Sequence, residues 1–201
     1  MLLRRKFDFI GFVVAFALVL ALPTVSTAQN LLVNGDFATD LSGWQFPDAT
    51  PTWSSFDADG AIGSGSAHGT NAQAGADARV FVLRQCVPIS QPGLYVFGAS
   101  GYTPSGQVAG DLVANYFVTL NSDCSGDTTV NTGGFFLPGV DQWQAYTSGT
   151  LLNIPPQSPF PAMAIRISLG VDKSPAGGSF AGYFDNVFLI RDPIFSDGFE
   201  P

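Results

Sequence analysis

Few residues of this 201-residue chain could carry out chemistry: His68 is its single histidine, Glu200 its single glutamate, and Cys86 and Cys124 its two cysteines. A hydrolytic triad would need His68 beside a positioned serine and an orienting carboxylate. Its setting, Gly65-Ser66-Ala67-His68-Gly69, contains no nucleophile elbow, and Ser64-Gly65-Ser66 is loop composition, so His68 reads as loop surface. One histidine and two cysteines also fall short of the usual zinc ligand set. Glycoside hydrolysis uses two carboxyl groups flanking the scissile bond. Such a pair would have to come from Asp57, Asp59, Asp77, Asp111 or Asp141, which all sit in turns or at strand edges, where Asp serves capping and hydration equally well. Gly133-Gly134 and Gly177-Gly178 lack the strand and helix context of a phosphate cradle. The reading is that no residue is catalytic.

Binding asks for less. A sugar ring has one fairly apolar face and a rim of hydroxyls, which calls for a flat aromatic platform beside amide or carboxylate groups. Trp53, Tyr102 and Tyr116 are the candidate ligand contacts, with Tyr146, Asn115, Gln144 and several aspartates as further supply. Asn115 and Tyr116 are adjacent, so in a regular strand only one of them can line a given face.

The segment that precedes these residues says where they act. Arg4, Arg5 and Lys6 lead into an apolar run from Phe9 to Leu22, followed by Pro23 and the small residues Ser26, Thr27 and Ala28. That order is a secretory signal over residues 1–28, with cleavage expected after Ala28. The run is shorter than the roughly 20 residues a bilayer span needs, so no transmembrane anchor is expected after processing. Residues 29–201 then hold five basic and fifteen acidic residues. A chain so acidic lacks the footprint for nucleic acid. An exported chain is expected in the extracellular space, with the periplasm as intermediate or alternative, where Cys86 and Cys124 can form a lasting disulfide. Closing that loop would contribute about 4 kcal/mol on entropy alone; two buried free thiols are the alternative.

The elements that must position these residues are strands. No long stretch has a helical period with caps; short runs rich in Val, Ile, Phe, Tyr and Thr alternate instead with Gly, Pro, Asn, Asp and Ser. Arg79 to Val87, Leu94 to Ser100, Asp111 to Leu120, Gln142 to Ser148, Ala162 to Leu169 and Gly182 to Ile190 read as strands, with Leu31 to Val33, Trp44 to Phe46 and Trp53 to Phe56 as weaker candidates. Met163, Ile165, Ile167 and Leu169 fall on one face and Ala164, Arg166 and Ser168 on the other, the alternation of a half-buried antiparallel strand. Residues 57 to 78 read as a long connection. Seven to nine strands without a helical layer predict an all-β sandwich of two antiparallel sheets over residues 29–192, with a barrel as the alternative, and a tail over 193–201.

The opening NLLVNGDFATDLSGWQ (Asn30 to Gln45) and the ending AGYFDNVFLI (Ala181 to Ile190) resemble the first and last core segments of secreted bacterial carbohydrate-binding jelly-roll domains of the galactose-binding-like kind. RQCVPISQPGLYVFGAS and NSDCSG between them resemble the central portion of related domains. The resemblance implies a galactose-binding-like jelly roll whose two ends meet beside a structural Ca2+. The implied ligands are Asp185, Asp36 and Asn34, and calcium suits them because it accepts six to eight hard oxygens, main-chain carbonyls included. Ala38 stands where many members carry a ligand Glu; without the ion, Asp36 would cap a turn and Asp185 would be satisfied by backbone donors. The resemblance also places Trp44 and Trp143 in the core. It implies a non-catalytic module whose partner is a polysaccharide or glycan. The alternative is a protein-contact or envelope-structural sandwich that binds another exported protein, and a third reading is a small Asp-dependent glycoside hydrolase. The tail IFSDGFEP resembles a short ending of many exported Gram-negative proteins, a secretion or processing feature.

Overall fold

The computed structural model describes residues 29–91, 93–126, 129–148, 152–154 and 163–192. The expected leader, its cleavage position, the tail and most of the proline-rich stretch from Ile154 to Pro161 lie outside the described residues. Within them, ten strands and no helix follow one another: β1 (Thr52–Ser54), β2 (Ser66–Asn71), β3 (Ala78–Ile89), β4 (Gly93–Tyr102), β5 (Gly110–Thr119), β6 (Thr129–Leu137), β7 (Gln144–Thr147), β8 (Leu152–Ile154), β9 (Met163–Lys173) and β10 (Phe180–Arg191).

These strands form two antiparallel sheets, as the alternating pattern predicts. Sheet I runs β1-β2-β10-β4-β7, with β8 on the same edge of β4 as β7, and sheet II runs β3-β9-β5-β6. The architecture is an all-β jelly-roll sandwich. Between the sheets lies one apolar core, in which Phe97, Phe184 and Leu189 of sheet I meet Leu112, Ile165, Ile167 and Leu169 of sheet II, each fully buried. Each such side chain contributes about 1.5–3 kcal/mol by leaving water.

The chain ends of the sandwich lie side by side. The Leu31 N–H donates to the Leu189 carbonyl, the Val187 N–H donates to the Gly35 carbonyl (both 2.8 Å), and the Asn30 amide brackets the same strand through Val187 O and Leu189 N–H. A Cβ on Gly35 would run into the Val187 carbonyl, so only glycine allows this approach. The outer edge of β3 is covered by residues 45–48: Gln45 exchanges two backbone bonds with Arg84, and Asp48 bonds Phe81. Covering an edge in this way removes a template for aggregation.

Two further ties hold the loops. Cys86 on β3 is joined to Cys124 in the loop after β5, with Cα atoms 5.9 Å apart, so the expected bridge is present and no free thiol remains among the described residues. Lys173 is buried with its Nζ donating to the carbonyls of Gly75, Pro175 and Gly177 at 3.1, 2.6 and 3.2 Å. Three carbonyl acceptors make burial of that ammonium tolerable and pin the turns on either side of it.

Two expectations are corrected. The connection over 57–78 contains β2, so His68 is a strand residue and not loop surface. A strand also occupies Thr129–Leu137, where none was expected; its Gly133-Gly134 pair looks like loop composition.

Candidate functional site

The registers of sheet II fix which side chains share its outer face. Four cross-strand rows follow from β3 through β9 and β5: Arg79, Asp172 and Asp111; then Phe81, Gly170, Val113 and Phe136; then Arg84, Ser168, Asn115 and Gly134; then Cys86, Arg166, Phe117 and Thr132, with the last member of each longer row on β6. The middle strand carries the small residues Gly170 and Ser168. Phe81 and Phe117 therefore lean toward each other across it, edge to face with centroids 6.4 Å apart.

The third row is polar at its floor. Ser168 is 1% exposed although it points away from the core. Its Oγ, the Asn115 Oδ1 and the Arg84 Nε are buried without a hydrogen-bond partner among the described residues. A buried polar atom left unpaired costs about 1–3 kcal/mol, so three in one row ask for a water or a ligand to complete them. Beside them a trough of about 240 Å³ runs between β5 and β6, lined by Arg79, Val113, Asn115, Thr132 and Phe136. The Asn115 amide lies over Gly134, in the space a side chain there would take. Phe136, 56% exposed, and Phe117, with the Arg166 guanidinium 4.5 Å over its ring, flank this row. At the far end Arg79 holds Asp172 in a two-pronged bond, which raises the Arg79 pKa.

The outer face of sheet I differs in kind. His68, Tyr183 and Tyr102 stand directly opposite one another across β2, β10 and β4. Phe56 and Trp143 close over them, Phe56 stacked on Trp143 at 5.3 Å and edge-on to Tyr102 at 4.7 Å. Burial lowers the His68 pKa, and its nearest ring is Tyr183 at 4.6 Å. The Trp143 indole N–H is buried without a partner among the described residues.

The residues singled out from the sequence are thus dispersed. Tyr102 joins the aromatic cluster of sheet I. Trp53 sits on the edge strand β1, 38% exposed, with its indole N–H donated to the Phe37 carbonyl at 2.7 Å. Tyr116 is corrected: it points inward, 7% exposed, with its ring over Gly133, so it cannot serve as a platform. Asn115 takes the outer face instead. Trp44 lies in the core, as expected, and donates to the Asn34 carbonyl at 3.0 Å, whereas Trp143 is on an outer face and not in the core. Arg84, Ser168, Phe117 and Phe136 were not singled out as ligand contacts. Of these only Ser168 had a signal in the sequence, the β9 alternation that set it and Arg166 opposite the core side.

Where the chain ends meet, Asn34 holds its own loop: its Nδ2 donates to the Asp40 and Ser42 carbonyls and its Oδ1 accepts the Ala38 N–H. Asp185 is buried, with Oδ2 accepting the Ala58 N–H at 2.9 Å and Oδ1 accepting the Asn186 N–H at 2.6 Å. Burial pushes its pKa up to about 7 against the pull of those two donors, and the charges of Asp57 and Asp59 add to the rise. The Asp36 carbonyl is tied to the same 57–64 loop, accepting from the Ser64 hydroxyl at 3.3 Å. Among the described residues no group of three or more acidic, histidine or cysteine side chains is arranged to hold a metal ion. A cation here would therefore need main-chain carbonyls together with Asp185.

No family model matches the sequence, and no curated protein matches it either. Solved structures do. The chain is similar to the enzymatically active domain of tailspike protein 4 of bacteriophage CBA120, with a TM-score of 0.57 and 19% identity, over 81% of this chain and 21% of that one. It is similar to TmCBM61, solved in complex with beta-1,4-galactotriose, with a TM-score of 0.52 and 17% identity, over 82% of this chain and 100% of that one. It is also similar to CBM28, a carbohydrate-binding module specific for non-crystalline cellulose, with a TM-score of 0.50 and 14% identity, over 83% and 96%. The structural neighbours are mostly carbohydrate-binding modules, and what this chain shares with them is the jelly-roll β-sandwich fold.

Proposed function

We propose that the chain is a non-catalytic, exported glycan-binding module and that the outer face of sheet II is its binding surface. The row Arg84, Ser168, Asn115 carries the reading: three polar atoms without partners among the described residues stand in one row, flanked by Phe117 and Phe136. Those atoms are closed to solvent, so a sugar hydroxyl would reach them through a bridging water, and the exposed rings would take the apolar faces of the sugar. The cross-strand row spans roughly 14 Å at the usual strand spacing, a length suited to an oligosaccharide. The Cys86–Cys124 bridge supports an oxidising, extracellular location.

Affinity electrophoresis against soluble glucans, xylans, mannans and galactans tests this. Retardation by at least one polymer is expected, and Asn115→Ala should weaken it about tenfold, the equivalent of one well-made hydrogen bond. If no polymer retards the protein, the reading falls and the protein-contact module takes its place. A second reading puts the sugar on the aromatic cluster of sheet I, with Tyr102 as a contact and Trp53 on the opposite side of that sheet left out, and is favoured by the Trp143 N–H, which has no partner among the described residues. In that case Tyr102→Ala, and not Asn115→Ala, abolishes retardation.

A structural Ca2+ is part of the proposal, held by Asp185 and by main-chain oxygens around Asp36, with the Asn34 side chain left to its loop. It would supply the positive charge that a buried carboxylate beside Asp57 and Asp59 calls for.

A further inference from the structure

We propose that the ligand of sheet II is an acidic glycan, a polysaccharide bearing uronic acid carboxylates, and that Arg84 is the residue that selects it; this rests on the reading of that face as a glycan site. Residues 29–201 contain five basic side chains, Arg79, Arg84, Arg166, Lys173 and Arg191, against fifteen acidic ones. Three of the five stand on this single face. Arg79 is paired with Asp172 and Arg166 lies over Phe117, so Arg84 is the one of the three to meet a ligand's charge.

The acids of the same face are placed away from Arg84. Asp172 and Asp111 form the first row with Arg79, and Arg79 takes both oxygens of Asp172. Directly across from Arg84 stands Ser168, then Asn115, then Gly134, so its row contains no carboxylate. Asp48, which bonds the Phe81 N–H, is at the β3 edge one row away. Arg84 has no carboxylate partner among the described residues. Half-burying a guanidinium without a counter-charge is costly, and a planar carboxylate is the group its fork matches. Asn115, two strands along the row and lining the trough, adds an amide suited to a ring hydroxyl of the same sugar. The row therefore offers one cation and then a neutral polar group, the order in which a uronate presents its carboxylate and its hydroxyls.

The test compares oligogalacturonate with its carboxyl-reduced counterpart, which keeps the backbone and removes the charge, by calorimetric titration at low and high salt. The expected result is binding of the acid at least tenfold tighter than of the reduced polymer, a loss of affinity as salt rises, and a fall of at least tenfold for Arg84→Gln with the melting temperature kept. If Arg84→Gln does not fold, the reduced polymer and the salt series on the unaltered protein decide. Equal binding of both polymers without salt dependence overturns the acidic ligand and leaves the glycan site standing. Binding of a sulfated galactan but of no uronate overturns it as well. Binding of no glycan of either kind overturns both.

Discussion

Asp185 is the residue at which the chemistry of the fold is most exposed to test. It is a carboxyl group 1% exposed, beside Asp57 and Asp59, with a pKa raised from the ordinary 3.8 to about 7. Because the folded pKa is above the unfolded one, its favourable contribution is complete below about pH 4 and is lost as pH climbs toward 7. Chelator-treated protein should therefore lose melting temperature between about pH 4 and 7. Millimolar calcium should restore it, most strongly at the alkaline end, because a ligand of the native state alone must stabilise it. A melting temperature unchanged by calcium across that range removes the ion from the account. Asn34 shows the limit of residue-level inference: a side chain of the right type lies near the meeting point, but its amide is used within the 34–42 loop.

At the scale of the element, the disulfide links β3 to the loop after β5 across 38 positions. Reducing it should cost up to about 4 kcal/mol and lower the melting temperature, while leaving the trough between β5 and β6 in place. Thermal melts of oxidised and reduced protein check this, and coincident curves would contradict it. Strands of alternating pattern were legible beforehand: β9 buries Ile165, Ile167 and Leu169 and turns Arg166 and Ser168 outward, as its spacing predicts. Strands whose residues are chosen for a neighbour's side chain were not. Gly133 and Gly134 in β6 make room for Tyr116 and Asn115, and that need arises only after the strands are paired. For the same reason the pattern could say that Asn115 and Tyr116 face opposite ways but not which of them faces out. Trp143 was misplaced because a partner ring, Phe56, comes from a loop 87 residues earlier in the chain.

Over the whole molecule, the sandwich presents two outer faces of opposite character. Sheet I is closed by Phe56, Tyr102, Trp143 and Tyr183 packed on one another, whereas sheet II carries three arginines, three phenylalanines and a polar floor. The meeting of residues 30–35 with 187–189 was legible from the two terminal motifs and holds the whole arrangement together. The central claim is that the ligand lies on sheet II, and the most direct measurement is amide chemical-shift mapping by NMR on titration with an oligosaccharide that the protein retains. Perturbations gathered at Arg84, Asn115, Thr132 to Phe136 and Arg166 to Ser168 are predicted; perturbations gathered instead at Trp53, Phe56, Tyr102, Trp143 and Tyr183 would contradict it.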